Sequence, residues 1–155
     1  MKIVNLITLL ILFTVSNAFA QFGMPIDLVK IETYQSFDKV YANTEFKIAV
    51  KAEVADTWHI NSDKPYDEYL IPTSLIITEN PYFKLNQTAY PKPHDYKFSF
   101  SASPLSVWEG TVYFGALLSV NADVQPGIYS LIVELEYQAC NDMSCQAPTA
   151  IADTI

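Results

Sequence analysis

Both cysteines of this chain lie in one short stretch, "YQACNDMSCQAP", residues 137 to 148, where Asn-Asp-Met-Ser separates Cys140 from Cys145. Three chemistries fit two thiols at that spacing: a structural staple, part of a metal site, or a reversible redox couple. As a staple the pair closes a loop of about six residues, which removes only roughly 2 kcal/mol of unfolded-state entropy. A bridge between distant strands would constrain the chain more. The metal reading has little support. His59 and His94 are the only histidines, and no Cys or His repeat has zinc spacing. Met143 between the cysteines leaves copper(I) as the one soft-ligand option. Each histidine reads more simply as a packed or surface side chain.

Reactivity requires a thiolate. The charges near the pair are acidic (Glu134, Glu136 and Asp142), and no basic residue follows Lys97. Local sequence therefore does not lower the thiol pKa, which argues against a self-activated nucleophile of the C-x-x-C type. It fits a passive carrier, attacked by a more reactive cysteine on another protein. On the residues alone, staple and carrier both stay open.

The segments that must position the pair read as β-strands. "FKIAVKAEV" sets Phe46, Ile48, Val50, Ala52 and Val54 on one side and Lys47, Lys51 and Glu53 on the other. "YLIPTSLIITE" is a further β-branched run, and "LSVWEGTVYFGALLSV" reads as two strands meeting near Glu109-Gly110. In "GIYSLIVELEYQAC", Tyr129, Leu131, Val133, Leu135, Tyr137 and Ala139 share a face. Ser130, Glu134, Glu136, Gln138 and Cys140 share the other, with Ile132 the exception. That register places Cys140 on the polar face, reachable from solvent or covered only by a movable loop. "NDMS" is a turn-rich link, so the cysteines flank a hairpin and come within bonding reach. Turn clusters recur between the strands, and the Pro-rich stretch 91–104 reads as a loop across an end or edge. "QAPTAIADTI" supplies one last short strand. No helical period is sustained outside the N-terminal segment. The fold class is all-β, an immunoglobulin-like sandwich, with a barrel as the alternative.

The chain has 155 residues, and residues 1–20 read as a signal peptide: one early Lys, an apolar run from Leu6 to Val15, and Ala18-Phe19-Ala20 as the cleavage pattern. Cleavage after Ala20 leaves residues 21–155 as one exported domain, large enough for its own core, in a compartment where paired cysteines oxidise. The balance of 9 Lys+Arg, all of them Lys, against 17 Asp+Glu excludes nucleic acid as a partner and disfavours an anionic membrane surface.

"YQACNDMSC" with Ala-Pro after it, "WHINSDKPYDEYLIPTSL", and "YP" followed by "FSFSASPLSVWEG", in that order, resemble the N-terminal periplasmic domain of the DsbD family of thiol:disulfide interchange proteins. The resemblance runs over roughly residues 25–150 and implies an immunoglobulin-like fold and a periplasmic location. It also implies a protein-disulfide reductase type of activity in which Cys140 and Cys145 are the redox couple. Cys145 matches the cysteine that exchanges with partners and Cys140 the resolving one. The implied partners are a membrane-embedded thiol–disulfide electron donor and periplasmic thioredoxin-fold proteins, including those of cytochrome c maturation. No cofactor or metal is implied, and a monomer is expected. A cap aromatic shields the disulfide in the family. Here Phe98 and Phe100 are the candidates, with Phe100 favoured on spacing from Trp108, while an alternating strand through Tyr96, Phe98 and Phe100 would make both core residues. His59 and Asn61 stand where the family carries tyrosines beside the cysteines, and Tyr137 and Asp142 complete the flanking set. The competing readings are a non-catalytic binding module with a local staple and exposed Tyr and Phe contacts, and a copper-handling domain.

Overall fold

Phe46, Ile48, Val50, Ala52 and Val54 all point inward from strand β2 (Glu45–Val54), each buried, while Lys47 and Glu53 face water. A period of two makes one face of the strand apolar, and that face must find a partner layer. Strand β8 (Thr111–Val120) repeats the pattern with Val112, Phe114, Ala116, Leu118 and Val120. The two pair antiparallel over their full length, flanked by β1 (Val29–Gln35) and β5 (Phe83–Ala89) in the order β1-β2-β8-β5. These strands belong to a computed structural model that describes residues 27–155. The signal-peptide reading and the cleavage after Ala20 lie outside the described residues.

The second layer is β11-β9-β4, built from β11 (Thr149–Thr154), β9 (Ile132–Tyr137) and β4 (Ser74–Ile77), again antiparallel. Leu75, Val133, Leu135 and Tyr137 enter the core that β2 and β8 line. Ile132 faces outward and is exposed, the exception its position in the alternation marks. The Thr33 N–H donates to the Asp153 carboxylate at 2.8 Å, tying β1 to β11 across the layers. Both sheets stay open, so the molecule is an all-β sandwich and not the alternative barrel.

A small third sheet closes one end: β10 (Ala139–Cys140), β3 (His59–Asn61), β7 (Leu105–Trp108) and β6 (His94–Tyr96), in the order β10-β3-β7-β6. Its register sorts the side chains by face. Ala139, Ile60 and Trp108 are successive cross-strand partners and join the main core. On the opposite face Cys140 pairs with His59, and Asn61 with Val107, which pairs in turn with His94.

"LSVWEGTVYFGALLSV" is two strands, as its sequence reads, but they lie in different sheets. Gly110, at φ +63°, makes the turn between them, a left-handed conformation that glycine adopts without a Cβ clash. Three elements depart from the sequence reading. The stretch 91–104 contains β6 instead of being loop throughout. The supposed strand ends at Tyr96, because residues beyond it enter a turn in which the Ser101 N–H bonds the Phe98 carbonyl at 3.3 Å. Strands β1 and β5 have no alternation strong enough to read. β5 leaves Lys84 to Gln87 exposed and carries a bulge between Leu85 and Gln87, so backbone pairing with β8 holds its middle while Phe83 at its start packs on the core.

Candidate functional site

Cys140 and Cys145 are bonded to each other, with Cα atoms 4.0 Å apart. The loop between them is tied internally. The Asn141 carboxamide oxygen accepts the N–H groups of Met143 at 2.9 Å and Ser144 at 3.0 Å. The Asn141 N–H donates to the Ser144 carbonyl at 2.9 Å, and the Gln146 N–H to the Ala139 carbonyl at 2.8 Å. Asparagine supplies this turn because its short amide can replace a backbone acceptor two and three residues on.

The polar-face register of Cys140 does not expose it. Cys140 is 1% exposed, in a small second core with Phe98, Leu105 and Val107, onto which Leu70, Tyr96 and Cys145 also pack. The face that is polar along β9 becomes, at β10, the outer face of the third sheet, and the 96–105 segment lies over it. Of the two accesses expected from the register, open solvent is therefore ruled out and a cover is present. Cys145 is only half-buried.

The cover is anchored to the disulfide loop through Asp142. The Tyr96 hydroxyl donates to the Asp142 carboxylate at 3.2 Å, and the Ser99 hydroxyl donates to the Asp142 carbonyl. Desolvation of the Tyr96 phenol, reinforced by the neighbouring Asp142 carboxylate, raises its pKa and keeps the hydroxyl a donor. Phe98 is the aromatic that shares the cluster with Cys140 and is completely buried. Phe100 is 46% exposed, its ring tilted over Phe98 at 5.1 Å between centroids. The preference for Phe100 rests on its spacing from Trp108, but the ring that shares the cluster with Cys140 is Phe98, and the turn after Phe98 breaks the alternation that would have made both rings core residues.

His59 lies in register with Cys140 and is 4% exposed. Its ring contacts Tyr96 at 3.9 Å and Phe98 at 5.1 Å between centroids. The Glu109 carboxylate sits between two histidines, 2.8 Å from His59 Nε2 and 3.4 Å from His94 Nε2. The His59–Glu109 pair is close without the alignment of a hydrogen bond, and His59 Nδ1 is buried with no partner. Asn61 is a tie: its side-chain amide donates to the Ile71 carbonyl at 2.9 Å and to the Gln138 side-chain oxygen at 3.1 Å, and its backbone carbonyl accepts from the Thr73 hydroxyl at 2.6 Å. Tyr137 belongs to the main core and not to the cluster that holds Cys140. Burial raises its pKa, with a smaller contribution from Asp27.

The structure thus brings Cys140, Cys145, His59, Phe98 and Asp142 together, sets Asn61 one pleat away, and leaves Tyr137 and Phe100 outside. Sequence reasoning missed Glu109 and Leu70. Glu109 carries a signal in "WEGT", a charged residue at a turn between two apolar strands, but only the third sheet reveals that it faces His59. Among the described residues no group of three His, Cys, Asp or Glu side chains is placed to hold a metal ion. Met143 stands 83% exposed at the loop tip.

No protein-family model matches the chain, and no curated protein matches it in sequence. Solved structures do match. The N-terminal periplasmic domain of ScsB from Proteus mirabilis superposes with a TM-score of 0.60 at 15% identity, covering 86% of this chain. The match spans 48% of that ScsB chain, so this chain corresponds to about half its length. The N-terminal domain of DsbD from Neisseria meningitidis, in its reduced form, superposes with a TM-score of 0.50 at 14% identity over 90% of this chain and 93% of that one. The fold is that of the DsbD N-terminal domain. The immunoglobulin-like sandwich is therefore the correct class for the DsbD-like architecture seen here, and a bonded cysteine pair accompanies it in this chain.

Proposed function

We propose that this domain is a periplasmic thiol–disulfide exchange carrier with Cys140 and Cys145 as its redox couple. The observation that carries the reading is the asymmetry of the pair. The disulfide closes a short loop, with one sulfur residue buried under Phe98 and the other half-exposed beside it. A bond spanning so few residues stabilises the fold by only about 2 kcal/mol, too little to explain the polar and aromatic groups assembled around it. Exchange begins by attack on an accessible sulfur, and unequal access decides which one is attacked. Cys145 takes the first role, bonding transiently to a partner cysteine, and Cys140 resolves the mixed disulfide. The DsbD-like fold supports a relay from a membrane-embedded donor to thioredoxin-fold acceptors, acting as a monomer after removal of residues 1–20.

The test is a redox titration read by thiol alkylation, with trapping of partners by the single-cysteine variants. The carrier reading expects a potential above about −300 mV, since structural disulfides lie below that value. It also expects Cys140→Ser to accumulate a mixed disulfide on Cys145 with a thioredoxin-fold protein, and Cys145→Ser to form none. A more negative potential with no trapped partner would identify the bond as a staple in a binding module.

A further inference from the structure

We infer that His59, with Glu109 as its outlet to solvent, is the proton acceptor and donor for Cys140. The inference rests on the exchange reading above. Three observations converge on it. His59 is the cross-strand partner of Cys140, a position that sets the two Cβ atoms about 5 Å apart on the same face of the sheet. Both of its ring nitrogens are buried without an aligned hydrogen-bond partner, which a purely structural histidine would avoid. Its Nε2 nevertheless lies 2.8 Å from the Glu109 carboxylate, which is itself 52% exposed, so a small rotation of either group would connect the buried cluster to water.

The chemistry of the pair requires such a group. When a partner thiolate attacks the Cys145 sulfur, the new S–S bond forms and the Cys140–Cys145 bond breaks. Its electron pair leaves on Cys140 as a thiolate. That charge appears inside an apolar cluster of Phe98, Leu105 and Val107, where an unneutralised thiolate is costly. A proton from His59 neutralises it. In the reverse direction the Cys140 thiol gives its proton to neutral His59, and the resulting thiolate attacks Cys145. The intramolecular disulfide re-forms, and the partner departs as a thiolate carrying two electrons from the domain. Histidine is the side-chain type that changes charge near neutrality and can serve both directions. The groups facing His59 are Cys140 from β10, Tyr96 from β6 with Asp142 bonded to its hydroxyl, and Glu109 from the β7–β8 turn, with His94 on the far side of that carboxylate.

The experiment uses the reduced full chain and dithiobis(nitrobenzoate), which releases one coloured thiol when Cys145 attacks and a second when Cys140 resolves the adduct. In the unaltered protein the second phase should depend on pH. In His59→Gln the second phase at neutral pH should slow by about tenfold to a hundredfold, and its dependence on pH should change. The first phase should hold within about twofold, which a general loss of structure would not allow. Where His59→Gln does not fold, Glu109→Gln at the surface decides, with a severalfold slower second phase expected. An unchanged second-phase profile in the deciding folded variant overturns the role of His59. Absence of both phases in the unaltered protein instead overturns the exchange reading on which it rests.

Discussion

Cys140 and Cys145 have the same side chain and differ only in what surrounds them. The thiolate of a buried cysteine is penalised by desolvation, whereas one at the rim of the cluster can meet a partner. Phe98, fully buried in the cluster with Cys140, is the proposed source of this difference. Phe98→Ala removes a fully buried ring, and the expected loss of stability is about 3–5 kcal/mol. In a Cys145→Ser background the same change should speed alkylation of Cys140 severalfold. Phe100→Ala, at a half-exposed ring, should cost under about 1 kcal/mol and leave that rate unchanged. Equal rates in the two variants would remove Phe98 as the shield. The aromatic pair itself was legible in "KFSFS". Which member shields was not, because the answer depends on a turn held by a backbone bond from Ser101 to Phe98.

The third sheet is the element that makes the site, and it is assembled from pieces of two to four residues. Segments that short carry no readable period, so their pairing is decided by the long strands that deliver them to the same end of the sandwich. Asn61 stitches the result together, linking β3 to Ile71 and to Gln138. Asn61→Ala should cost about 1–3 kcal/mol in urea unfolding, since it removes two donated bonds at a buried position. It should also raise hydrogen exchange at the Ile71 N–H, which donates to the Gln138 side chain at 3.2 Å. If exchange there stays at its original rate, the tie is not what holds the 63–72 segment. By contrast the inward faces of β2, β8 and β9 were legible, although the single strand read through Cys140 divides into β9 and β10, because long alternations survive any tertiary context that buries one face.

At the scale of the molecule, the main core of β2, β8 and β9 does not include the disulfide. Reduction should therefore leave the sandwich folded, with a loss of about 2 kcal/mol and a fall in thermal midpoint below about 10 °C. Unfolding on reduction, seen as loss of the far-ultraviolet strand signal at room temperature, would contradict that. The alkaline side offers a second check. Tyr137 is raised by burial and then by Asp27, Tyr96 by burial and then by Asp142, and Tyr66 by its hydrogen bond to Asp95. A raised folded pKa means that the native state holds the proton after the unfolded chain has lost it. The stability this contributes is full below about 10, the ordinary tyrosine value, and is lost as pH rises through the folded values. Urea midpoints measured upward from neutral pH should hold to about 9 and then fall, less steeply in Tyr137→Phe. An identical alkaline fall in that variant would mean that Tyr137 does not contribute to it.

By itself the sequence determined the strand periodicity, and with it an all-β sandwich, the two-sided strands of its main core, and a cysteine pair close enough to bond. Those features depend on residues near one another in the chain. The tertiary structure alone decided that Cys140 is buried, that Phe98 and not Phe100 shares its cluster, and that His59 stands in register with it with Glu109 behind. The physical reason is that a strand's alternation fixes which face a side chain takes, while what lies across that face comes from segments thirty to eighty residues away, brought there by the packing of the whole sandwich.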